Sequence, residues 1–195
     1  AFYLVSYISV WFGINTLTIT MPYIAEVLLG VSAEYSGYMI AGAFIAALLC
    51  MPFLPKITVK YGKKKVLMMT SVLFALILFL TGFFGVVLPL NISFAIVILA
   101  GIPLSVIFVI PNAMIADIAE LDSIEKGLRR EGMFFGAQGL VIKIVICLSS
   151  FVTPLLFGLF GYSSARHLGI QLGGPIAAAA IMIGLIFLKK YSISY

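Results

Sequence analysis

Lys143 stands inside the apolar run from Met133 to Gly161, a stretch that otherwise reads as a membrane-crossing helix. Counted from the charged stretch that ends at Glu131, it lies roughly 16 Å along a helix, near the middle of a hydrocarbon core about 30 Å thick. An ammonium group at that depth costs about 3 kcal/mol and is kept where a counter-ion or a watery path meets it. Lys143 therefore marks an ion or solute pathway. Gly136, Gly139, Cys147, Ser150, Pro154 and Gly158 recur with it at spacings of three and four, which puts them on one helix face. Gln138 lies about 140° round the same helix, so it shares a wide cavity with Lys143 but not a narrow seam. Further stripes of small and polar residues occur in the first apolar run, at Ser6, Ser9, Gly13, Thr16 and Thr20. The fourth run has another at Gly101, Ser105, Phe108 and Asn112. Both are expected to line the same cavity if the helices are neighbours, the alternative being hydroxyls bonded back to their own helix.

A second grouping is electrostatic. Asp117, Glu120, Asp122, Glu125, Lys126, Arg129, Arg130 and Glu131 crowd together, and Asp122/Lys126 and Glu125/Arg129 have the favourable acid-first spacing of four if helix continues there. Asp117 and Glu120 fall where a helix C-terminus disfavours anions, so they need cations from here, from the lysines between the second and third spans, or from a partner domain. Asp117, Glu120, Arg129, Arg130 and Glu131 are therefore expected to form half of a cytoplasmic charge latch. The same acids superficially suggest the magnesium-diphosphate site of a membrane prenyltransferase, which needs two acidic clusters. Beyond this stretch only Glu26 and Glu34 are acidic, so neither an enzyme nor a resident metal or cofactor is expected.

The elements that must position these groups are helices in a membrane. Of 195 residues, 63% are hydrophobic and 10% charged, too apolar a balance for a soluble globule. No strand-like alternation accompanies the long apolar runs, which excludes a closed barrel and leaves an all-α membrane protein. Windows of about 20 residues give spans near 1–27, 35–54, 66–88, 92–116, 132–160 and 168–188. Lys56, Lys60, Lys63, Lys64 and Lys65 precede the third span, Lys126, Arg129 and Arg130 precede the fifth, and Lys189 and Lys190 follow the sixth. The alternate loops carry only Arg166, so the basic loops and the C-terminus are expected on the cytoplasmic side of the plasma membrane. Topology thus accounts for the net charge of +5 without a nucleic-acid partner. The first residue, Ala1, falls within an apolar stretch, and the chain reads as a piece of something larger. Cys50 and Cys147 both fall within spans, which argues against a disulfide framework.

The run Pro111-Asn112-Ala113-Met114-Ile115-Ala116-Asp117-Ile118, through Gly127-Leu128-Arg129-Arg130-Glu131-Gly132 to Gln138 and Lys143, resembles the glycoside-pentoside-hexuronide:cation symporter family. That family is the melibiose-carrier branch of the major facilitator superfamily, and the likeness is to its tenth helix, acidic turn and eleventh helix. Lys60, Gly62, Lys63 and Lys64 are similar to the superfamily's loop motif Gly-x-x-x-Asp-Arg-x-Gly-Arg-Arg, with Pro55 and Val59 standing at its Gly and Asp positions. The resemblance implies twelve helices in two six-helix halves, each an inverted pair of three-helix repeats rocking about a midplane site by alternating access. This chain corresponds to the C-terminal half, with repeats at 1–90 and 91–195 and an N-terminal half in the same chain or a separate subunit. It implies symport of a sugar, glycoside or sugar acid with Na⁺ or H⁺, the principal acidic ligands coming from the other half. Lys143, Gln138, Asn112, Phe108 and Trp11 are then the expected pathway residues, the two aromatics offering faces for a sugar ring. Two rivals remain at this stage. One is a lipid or lysolipid carrier on the same fold, the other an inactive half-transporter or membrane scaffold.

Overall fold

Inside lipid, runs of Leu, Ile, Val, Phe and Ala satisfy their backbone groups by coiling into helices. The computed structural model describes residues 2–127, 130–163 and 167–190 and is helical almost throughout. The described α-helices are α1 (Phe2–Tyr23), α2 (Glu34–Cys50), α3 (Leu54–Tyr61), α4 (Lys63–Thr81), α5 (Leu90–Leu99), α6 (Gly101–Lys126), α7 (Glu131–Phe160) and α8 (Leu168–Lys190). A π-turn at Ile24–Leu28 prolongs α1, and a 3-10 turn at Met51–Phe53 splices α2 to α3. Together they make six rods long and apolar enough to cross a bilayer: Leu4–Leu28, Glu34–Tyr61, Lys63–Thr81, Leu90–Ile124, Glu131–Phe160 and Leu168–Lys189. The expected all-α, six-span fold class is the one adopted.

Several boundaries differ from those expected. Pro52 and Pro55 sit in the first turns of the 3-10 segment and of α3, where a missing N–H is no loss. The second rod therefore runs helical to Tyr61, and the turn waits for Gly62, whose φ of 81° suits glycine. The third span stops at Thr81 rather than near 88. Gly85, with φ 75°, lies so close to the Leu28 carbonyl that a side chain there would collide with it. Nothing between Asp117 and Lys126 interrupts helical hydrogen bonding, so the expected acidic turn is the end of α6. That helix stops at Gly127, left-handed at φ 68°, whose N–H donates to the Ser123 carbonyl at 2.9 Å.

Small residues set the packing. α8 wedges between α1 and α4 through glycines. A methyl on Gly184 would lie 2.6 Å from Ser9 Oγ, one on Gly173 3.2 Å from Thr20 Oγ1, and one on Gly174 would collide with Thr81 and the Leu78 carbonyl. The stripe Ser6, Ser9, Gly13, Thr16 and Thr20 is thus a helix-packing seam and not a cavity lining. Ser9 and Thr20 donate to their own helix at Val5 and Thr16, which lets the backbones approach. Around this seam Phe74, Leu78, Met21, Ile170 and Ile181 are fully buried.

α2 packs on α5 and α6. The fourth rod breaks at Ala100, where Pro103 has no N–H to give Leu99, and Gly101 lets that break press against Ala43 and Ala47 of α2. Ser105 likewise back-bonds to Ile102 and is fully buried. The rods Glu34–Tyr61 and Glu131–Phe160 are the least covered, with 22% of their windows buried against 39–50% in the other four.

Candidate functional site

Two faces of α1 do different work. The small-residue seam meets α8, and roughly opposite it, at about 100° per residue, run Tyr7, Trp11, Asn15 and Thr18. This second face meets α7 and approaches α6. Gln138 of α7 donates through Nε2 to Tyr7 Oη at 2.7 Å and to Asn112 Oδ1 at 3.1 Å, joining three rods through one amide. Asn112 in turn donates to the Phe108 carbonyl at 2.8 Å. About two turns further along α1, Asn15 Nδ2 donates to Ser149 Oγ at 2.5 Å and to the Ile146 carbonyl at 3.3 Å.

Aromatic rings border this polar band. Trp11 meets Tyr7 edge-on at 6.2 Å and Phe108 at 5.9 Å, and Phe108 stacks on Phe44 at 6.0 Å with an 11° tilt. Trp11 and Phe108 are half-buried, Phe44 and Asn112 exposed. Hydroxyl and amide groups beside ring faces are what a hydroxyl-rich solute with apolar C–H faces requires. Gln138 is only 3% exposed and spends both amide hydrogens on Tyr7 and Asn112, so it orients those two groups and does not face open space.

The structure therefore brings Trp11, Phe108, Asn112 and Gln138 together, and adds Tyr7, Asn15 and Ser149, which sequence reasoning missed. It does not bring Lys143 to them. Lys143 is exposed on the far side of α7, in a shallow groove of about 580 Å³ with Gly136, Gly139, Leu140, Ile144 and Cys147. It makes no hydrogen bond or ion pair with the described residues. A methyl added at Gly136 or Gly139 would touch nothing among the described residues.

At the lysine-rich end, Lys63 Nζ meets Asp117 Oδ2 at 2.5 Å, so the α6 acid finds its cation on the turn between α3 and α4. Lys126 pairs with Asp122, as the spacing of four implied. Lys64 Nζ lies 3.4 Å from the Lys189 carbonyl at the end of α8, and Lys60 sits 5.2 Å from the Tyr61 ring. Asp117 and Glu120 share an open groove of about 750 Å³ with Gly62, Lys63, Lys64 and Lys65. Arg130 and Glu131 are exposed at the start of α7, where Glu131 suits the helix dipole. Arg129, and with it the Glu125/Arg129 pair, lies outside the described residues, as does Arg166.

A family model described as MFS/sugar transport protein matches residues 2–188. A protein of Synechocystis sp. named as an uncharacterized symporter is 35% identical over 69 residues, which are 35% of this chain and 13% of the symporter. The matched stretch is thus a small part of that relative's length.

Proposed function

Because the chain belongs to the MFS/sugar transport protein family, we propose that it forms the C-terminal six-helix half of a cation-coupled carrier of the melibiose-carrier type. Its solute is a sugar, glycoside or sugar acid, moved across the plasma membrane together with Na⁺ or H⁺. Residues 1–90 and 91–195 act as two inverted repeats, the lysine-rich loops face the cytoplasm, and the other half covers α7 and α2.

The observation that carries this reading is Lys143, an ammonium at mid-membrane depth on an uncovered helix face, without a partner among the described residues. Lipid cannot solvate it, so an anion or water from a facing bundle must. In the proposed mechanism the Lys143 ammonium balances the coupling carboxylates of that bundle, and the cation's arrival releases it. Solute binds against Trp11 and Phe108, with Tyr7 and Asn112 held in place by Gln138, and rocking of one half against the other exposes the site alternately. The Tyr7, Asn15, Asn112 and Gln138 band favours a hydroxyl-rich solute over a lysolipid.

Lys143→Met in the complete carrier, reconstituted in liposomes, is expected to abolish ion-driven accumulation while solute exchange continues. Accumulation at the native level would remove Lys143 from the coupling path.

A further inference from the structure

The rod Glu34–Tyr61 is 28 residues long. At about 1.5 Å per residue it reaches about 42 Å, well past a hydrocarbon core of about 30 Å, so its last turns, those of α3, stand at headgroup level. Around α3 the side chains sort by environment. Leu54 is 4% exposed and half-buried Thr58 lies beside it on the bundle side, while Ile57 and the preceding Phe53 are 40% and 61% exposed. Lys56 and Lys60, one turn apart, flank that apolar edge at about 60–100° from Ile57. Val59, 89% exposed, points away on the far side. Lys63, Lys64 and Lys65 follow directly after the Gly62 turn.

Bundle, acyl chain, headgroup and water thus succeed one another around a single short helix, with ammonium groups at the headgroup position. Lys63 is engaged by Asp117. No carboxylate of the described residues pairs with Lys56, Lys60 or Lys65. A loop that needed charge only for orientation would be served by lysines in any arrangement. Here Lys56 and Lys60 line one flank of an amphipathic turn, and exposed Lys65 follows just beyond Gly62.

We propose that Phe53–Lys65 is a docking element for anionic phospholipid, with Phe53 and Ile57 set among the upper acyl chains and Lys56, Lys60 and Lys65 holding the headgroup phosphate. The site is separate from the solute path and from the coupling ion, so it stands or falls independently of them.

The test uses the purified complete protein in phosphatidylcholine nanodiscs with spin-labelled phosphatidylglycerol or spin-labelled phosphatidylcholine, reading the motionally restricted lipid by electron paramagnetic resonance. The expected result is a preference for phosphatidylglycerol of about fivefold, the factor one lysine near an anionic surface contributes. It should fall towards equality in Lys56→Gln/Lys60→Gln/Lys65→Gln, be kept in the matching arginine variant, and weaken as salt is raised. Equal retention of the two lipids by the native protein, or a preference that salt leaves unchanged, would overturn the proposal. So would an undiminished preference in a folded glutamine variant. The salt series needs no variant and decides the matter if the triple substitution fails to fold.

Discussion

Gln138 ties α1, α6 and α7 through a single side chain, so its loss is felt by groups on two other rods. In Gln138→Leu the Tyr7 hydroxyl and Asn112 Oδ1 each lose one donor while both residues keep other contacts, at a cost of about 1 kcal/mol per hydrogen bond. A lower melting temperature in detergent and weaker solute binding are expected together, whereas Tyr7→Phe should lower binding with a smaller loss of stability. Equal melting of Gln138→Leu and native protein would show that the band is not under load. Trp11, Phe108, Asn112 and Gln138 could be picked out from residue type and spacing, and they do meet. Tyr7 and Asn15 were also visible in principle, since Tyr7, Trp11 and Asn15 follow one another at steps of four. They were passed over because α1 carries two stripes of helical period, and periodicity alone does not say which one is packed and which is open.

At the scale of elements, glycines divide into two kinds that sequence cannot separate. Gly184 and Gly174 lie against neighbouring helices, so Gly184→Leu should disrupt the α1–α8 seam at the upper end of the about 1–3 kcal/mol typical of overpacking or beyond. Gly139→Leu meets open space in this chain. It should leave folding of the six rods intact, and in the proposed carrier, where a second half would face α7, it should block transport. Size-exclusion profiles of the two variants, set beside uptake, distinguish these outcomes, and a folding defect in Gly139→Leu would contradict the uncovered face. The rods themselves were legible from hydropathy because bilayer thickness sets their length. Their ends were not. Pro52 and Pro55 read as breaks yet fall at helix starts, and the acids from Asp117 onward read as a turn because charge marks the membrane boundary, not the end of helical hydrogen bonding.

For the whole molecule, the ion pair Lys63–Asp117 joins the start of α4 to α6, helices that also pack against each other. Its side chains are 39% and 29% exposed, so its contribution to stability should stay within about 1 kcal/mol. Its expected effect is on the rate of rocking. Lys63→Asp and Asp117→Lys should each slow uptake with little change in melting, and the two together should restore it; failure of the double swap to recover either single defect would discount the latch. Residues 127–130 alone connect α6 to α7. If the proposed rocking occurs, so short a connection would pass displacement of the Lys143 rod to the acid-bearing end of its neighbour, and Lys63 would be the stop against which that end comes to rest.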